Sequence, residues 1–231
     1  MSAFTSFLGG PRRLVLDVGS NVLLSGPIRR AIVEPAAAAS DELLRLLLSY
    51  YGERLWQAGL IAGSSGNLSA RLHRRNAMYI TSRATSKAFL RRSDIRSVPL
   101  EEDGTDTTSV SVELPTHRAC YSSGEEVGAV IHTHAPALTA IRLFDIDLGE
   151  VLPEVKASLN TVARVPHAPA GSDELADSVG EAVGNGSALV LLERHGAVAV
   201  GRDLSEACDR MELGELSAKA VLLARGEAAG M

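Results

Sequence analysis

Basic charge is in short supply in this chain. Lysine and arginine total 23 against 28 acidic residues, a formal net charge of −5. A nucleic-acid-binding surface needs a basic footprint, and none is present. Long apolar runs are missing too. Stretches such as Ala188–Leu192 and Val127–Ile131 fall far short of the roughly 20 residues that cross a bilayer, so no membrane span is expected. The amino terminus has no basic start and no clean apolar core, which argues against a secretory signal. Cysteine occurs twice, as Cys120 and Cys208. Both fall in helical patterns without a metal-ligating neighbour, so they read as buried free thiols of a reducing compartment. A cytoplasmic protein is expected. No repeat or low-complexity tract is visible. What the chain does have is apolar material, 45% of its 231 residues, enough for a sizeable core in one large domain.

Residues 1–36 are punctuated by Gly and Pro, with short strand-like runs at Leu14–Val18 and Ile32–Val33. They read as an extension on a domain covering 37–231. A helix is expected from Ser40 or Asp41 to about Ala58, stopped by Gly59, because Leu43, Leu44, Leu47, Tyr51 and Leu55 repeat at helical spacing. Ser69–Leu72 and Ala77–Thr81 form a hairpin pattern, and Ser93–Val98 adds a strand. A helix follows from Leu114 to about Ser122, with Pro115 in its first turn. Next come a strand over Val127–Thr133 and a helix from Ala135 to about Leu143. Ser172 caps a helix running through Val183, and strands at Ala188–Leu192 and Ala197–Val200 flank His195-Gly196. Asp203 with Glu206 opens a last helix reaching about Arg225. Interspersed strands and helices indicate a layered α/β domain.

Three histidines stand in two short contexts, Val130-Ile131-His132-Thr133-His134-Ala135 and Leu192-Glu193-Arg194-His195-Gly196. In a strand, side chains alternate with period two, so H-x-H turns two imidazoles to one face. A third histidine at the end of another apolar run completes a three-nitrogen metal site with positions left open for substrate. The alternative is three unrelated histidines at strand ends. Glu113 lies just before a helix, upstream of the H-x-H strand. A carboxylate there can ligate the metal or move protons beside a metal-bound carbonyl; it can also simply be an acid favoured at a helix N-terminus. His117 lies one turn after Glu113 and shares its face, either as support for the site or as a half-buried helix histidine. Gly63-Ser64-Ser65-Gly66-Asn67 is a turn whose exposed N–H groups and Asn67 amide suit an anionic oxygen, or an ordinary connection.

Together these blocks resemble the class II aldolase/adducin family from about Asp41 to Arg225. They occur in the family's order: Gly66-Asn67-Leu68-Ser69, Ile80-Thr81-Ser82, Glu113 with His117, Ile131-His132-Thr133-His134-Ala135, and His195-Gly196. Pro115-Thr116-His117-Arg118 is similar to the epimerase members. The resemblance implies a three-layer α/β/α fold with a central, mainly antiparallel sheet, in a homotetramer with interfacial active sites. It implies a divalent metal, Zn2+ or else Mn2+ or Co2+, held by His132, His134 and His195, with Glu113 as catalytic acid/base. Gly66 and Asn67 would bind the substrate. The activity implied is aldolase cleavage of a carbon–carbon bond in a short ketose phosphate or related keto compound, through a metal-stabilised enediolate. The alternatives within the family are a sugar-phosphate 4-epimerase, a methylthioribulose-phosphate-type dehydratase, a decarboxylase and a non-catalytic adducin-like scaffold.

The chain departs from that pattern at the expected anion end. Arg83-Ala84 replaces a Thr-Gly or Ser-Gly turn, and Ser111-Val112 replaces a Ser-Ser pair. Arg83 and Ser111 are therefore expected to bind substrate, Arg83 with a charge suited to phosphate or carboxylate. L-fuculose 1-phosphate and L-ribulose 5-phosphate are expected to be poor substrates. No Tyr follows Tyr121, so the C-terminal tyrosine proton donor that the resemblance implies is missing; His167 falls where relatives have a tyrosine, but it reads first as an ordinary loop histidine.

Overall fold

The computed structural model describes residues 41–72, 76–101, 104, 106–141, 148, 151, 153–159 and 161–226. The expectations for residues 1–36 lie outside them. Helix α1 spans Asp41–Gln57, with Asp41 and Glu42 in its first turn and Arg54 in its last, each sign matched to the helix dipole. Its inward face is Leu44, Leu47, Leu48, Tyr51 and Leu55. Strands β1 (Asn67–Leu72), β2 (Ala77–Thr81) and β3 (Ile95–Pro99) follow. The start of β3 is two residues later than expected because Arg92–Asp94 close a 3₁₀ turn. Next come α2 (Leu114–Ser122), β4 (Ala129–Thr133), α3 (Pro136–Ile141), α4 (Pro153–Leu159) and β5 (Thr161–Val165). The chain then forms α5 (Asp173–Gly184), β6 (Ser187–Leu192), β7 (Gly196–Gly201) and α6 (Leu204–Ala224).

The seven strands among the described residues form one sheet in the order β3-β2-β1-β4-β7-β6-β5. Every neighbouring pair is antiparallel except β5 with β6. Parallel neighbours need a crossover, and α5 supplies it. The sequence pattern did not reveal α4 or β5. Strand β5 is short and only partly buried, with Arg164 interrupting its apolar residues, so it carries little periodic signal.

Period-two alternation sorts the sheet into two faces. Val130, Val190, Val198 and Val200 join Leu114, Cys120 and Tyr121 of α2 and Leu175 and Val179 of α5 in one buried cluster. The other face receives α6, whose Gly214 lets Leu189 of β6 approach closely. Each face is covered by helices, giving the expected three layers. Ser172 and Asp203 cap α5 and α6 by accepting from the N–H groups of Leu175 and Glu206. Both cysteines are free and buried, and burial pushes the Cys120 thiol up to about 12. Among the described residues, no helix is long and apolar enough to cross a membrane.

Candidate metal centre and active site

Strand β4 lies between β1 and β7 near the middle of the sheet. Alternation turns His132 to the α2 side, and His134 follows just past the strand's end. His195 arrives from the β6–β7 turn, where Arg194 has a positive φ of 58°. The glycine after His195 has a steric reason. A Cβ on Gly196 would lie 2.2 Å from the Thr133 carbonyl oxygen, so only glycine lets the turn close onto β4. Gly196→Ala is therefore expected to push His195 away and weaken metal binding at least ~10-fold, the scale at which supporting contacts act on metal sites. Metal titration of the purified variant checks this; wild-type affinity would refute it.

The three imidazoles turn toward one point. Their ligand atoms all lie within 4.8 Å of one another, and they form a cluster that could hold a metal ion. The Nε2 atoms of His132 and His134 are 3.1 Å apart. The Nδ1–H of His132 donates to the Ala197 carbonyl at 3.0 Å, which leaves its Nε2 lone pair facing the centre, the arrangement a metal ligand needs. Burial pushes His132 down to about 4 and also lowers His134, so both stay neutral and able to ligate. His132 is buried, His195 intermediate and His134 exposed, so the centre opens on the His134 side.

Glu113, immediately before α2, is only 4% exposed. Its Oε2 lies 3.2 Å from His132 Nε2, and its Oε1 lies 3.1 Å from His195 Nε2. Burial alone would raise its pKa. The neighbouring His132, the Asn67 amide, His195 and His117 outweigh that and hold it below the usual carboxylate range. Among the described residues, no N–H or O–H makes a hydrogen bond to Oε1. An orphaned, buried carboxylate oxygen beside three converging imidazoles fits a divalent cation, and nitrogen with oxygen donors suits zinc, cobalt or manganese.

The Gly66-Asn67 turn is built into the same centre. Gly66 has φ +65°, and a Cβ there would meet the His132 carbonyl oxygen at 2.6 Å. Asn67 is thereby set opposite His132 in the β1–β4 register, and its Nδ2 donates to Glu113 Oε2 at 2.7 Å. Ser111 is also present, with its hydroxyl accepting the Glu113 N–H at 3.3 Å. Arg83 is exposed. Its backbone runs beside the segment leading into Glu113, its N–H donating to Ser109. Ala84 keeps a positive φ of 55°, so the turn retains a glycine-like backbone despite its alanine. His167 donates from Nδ1 to the Glu193 carbonyl at 3.2 Å and so braces the turn that carries His195.

The structure adds two residues with no warning in the sequence. Lys87 is 1% exposed, and its Nζ donates to the carbonyls of Ser64 at 2.8 Å and Thr85 at 2.9 Å. It ties the Gly-Ser turn to the Arg83 turn, and burial lowers its ammonium to about 8 against the pull of Glu113. Glu215 of α6, 2% exposed, accepts from the N–H groups of Ala137 and Leu138 at 3.1 and 2.9 Å. That pins the start of α3, directly after His134.

Comparison with known proteins agrees with this geometry. The model of the Class II Aldolase and Adducin N-terminal domain matches residues 47–222. An L-fuculose phosphate aldolase of Methanococcus maripaludis is 34% identical over 159 residues, 69% of this chain and 85% of that protein. A 3-oxo-tetronate 4-phosphate decarboxylase of Haemophilus influenzae is 27% identical over 193 residues, 81% of this chain and 91% of that protein. The solved L-fuculose-1-phosphate aldolase of Thermus thermophilus superposes with a TM-score of 0.73 at 31% identity, covering 81% of this chain and 97% of that one. Sequence blocks, sheet topology and histidine cluster thus converge, and the chain belongs to the class II aldolase and adducin N-terminal domain family.

Proposed function

We propose that this chain is a divalent-metal-dependent aldehyde-lyase that cleaves a carbon–carbon bond in a short ketose phosphate or related keto compound. The observation that carries the reading is the convergence of His132, His134 and His195 with the buried carboxylate of Glu113. A scaffold has no need of three inward Nε2 atoms and an orphaned carboxylate oxygen. A divalent ion there, zinc in the first instance, would supply Lewis-acid stabilisation of negative charge developing on substrate oxygens.

The chain's own residues do the rest. Glu113, held as a carboxylate, accepts the proton that leaves the substrate hydroxyl as the carbon–carbon bond breaks and passes it to the new carbanion carbon; in condensation it reverses both transfers. Its closed surroundings exclude the water that would compete. The Asn67 N–H donates to Glu113, so it stands beside the reacting atoms and offers a donor to a substrate oxygen. Ser111 fixes the backbone that carries Glu113. The site opens outward at His134, which suits the homotetramer with interfacial sites that the reading includes.

Decarboxylation is the second reading, and the Arg83-Ala84 turn favours it, because a guanidinium serves a carboxylate as well as a phosphate. A panel of short ketose phosphates and phosphorylated 3-oxo acids, offered to metal-loaded protein, separates the two. Aldehyde release from a ketose phosphate, with L-fuculose 1-phosphate among the slower members, is the expected result. CO2 release without aldehyde moves the assignment to decarboxylase. Arg83→Ala is expected to raise KM for the accepted substrate about 10-fold with a smaller change in kcat, the mark of an interaction shared by ground and transition states. A normal KM would remove Arg83 from the anion end.

A further inference from the structure

We infer that His117 is a positioning residue: it locks the Asn67 carboxamide in the one orientation that turns its N–H toward Glu113 and its carbonyl away. The inference rests on the acid/base reading of Glu113. Glu113, His117 and Tyr121 are spaced four apart, so α2 lines them along one face. Asn67 and Ser69, two apart on β1, face them from the sheet. His117 and Ser69 are wholly buried, and Asn67, Glu113 and Tyr121 nearly so.

The proton positions follow from the inventory of donors and acceptors. A carboxylate only accepts, so Asn67 must present Nδ2 to Glu113 Oε2, at 2.7 Å. Its Oδ1 then faces His117 Nε2 at 2.5 Å, and Nε2 must carry the hydrogen. Full burial keeps the imidazole neutral, so His117 has one N–H only and its Nδ1 accepts. Ser69 Oγ, 2.6 Å from Nδ1, donates to it. Tyr121 donates in turn to Ser69 Oγ at 2.7 Å. One arrangement satisfies every hydrogen bond of this series.

The opposite tautomer fails. A hydrogen on Nδ1 would set the Nε2 lone pair against Asn67 Oδ1. The amide could escape only by flipping, which would aim Oδ1 at the carboxylate. The His117 tautomer, the Asn67 orientation and the donor to Glu113 are therefore a single coupled choice, whose direction is set by the carboxylate of Glu113, which can only accept. The bonds that link His117 to Glu113 pass through the Asn67 carboxamide, so His117 acts through Asn67.

Long-range proton–nitrogen NMR on zinc-loaded, 15N-labelled protein reads the tautomer without any substrate. The Nε2–H form of His117 is expected. His117→Leu removes the donor and is expected to keep the zinc content while lowering kcat about 10- to 100-fold, with KM changed less. His117→Gln places an amide N–H near the Nε2 position and should recover most of the loss, which a merely space-filling role would not require. The Nδ1–H tautomer overturns the inference even if His117→Leu fails to fold. So does a His117→Leu enzyme with normal kcat where Glu113→Gln is inactive. Normal turnover in Glu113→Gln is a different pattern: it removes the acid/base reading first, and this inference with it.

Discussion

Replacing His134 with alanine is expected to strip the divalent ion and reduce activity by about 10³-fold or more. Lewis-acid stabilisation is worth several kcal/mol of transition-state charge, and ~1.4 kcal/mol is a factor of ten in rate. His134 suits this test better than its partners. It is exposed, so its loss leaves no cavity in the core and the fold should survive. His132, by contrast, is buried and bonded to the Ala197 carbonyl, and its removal would mix packing with ligation. Elemental analysis beside circular dichroism separates the effects: a folded protein with little metal is the expected outcome. A folded variant that holds a full complement of metal would show that His134 is not a ligand.

The second large effect belongs to Glu113. Glu113→Gln is expected to retain the metal, because all three imidazoles remain, and to lose turnover by about 10²–10⁴-fold, the usual contribution of a positioned acid/base. The glutamine is nearly isosteric and can still accept the Asn67 N–H, so the loss would report the missing carboxylate and not a collapsed site. Unchanged turnover on the best substrate of the panel would leave Glu113 only the role of an acid at a helix N-terminus.

How much of this was legible beforehand depends on how local each signal is. The H-x-H pair declares itself because strand alternation needs only adjacent residues, and β4 places His132 as that rule requires. The fold's long helices α1, α5 and α6 are legible for the same reason, in their apolar spacing and their caps. Strand β5 and helix α4 are not, since five and seven residues of mixed character leave periodicity nothing to act on. Ser69 and Tyr121 read as an ordinary strand serine and an ordinary helix aromatic. Their meaning lies in partners 48 and 52 positions away from Ser69, which no local pattern encodes. Lys87 looks like any surface lysine, and only the return of the chain past Ser64 buries it.

The two close approaches on either side of β4 have a bearing on attempts to re-engineer the centre. Gly66 crowds the carbonyl of His132 from the β1 side, and Gly196 crowds that of Thr133 from the β7 side. The middle strand is gripped at two consecutive residues by backbone alone, so the register of its histidines has no slack. Side-chain donors can be exchanged in place to seek a different metal preference, because the grip does not involve them. A methyl group at either glycine would move the whole donor set by more than the ~0.5 Å that a productive site tolerates. The identity of the ion is thus open to substitution at the three imidazoles, whereas its location is written into two residues that never touch it.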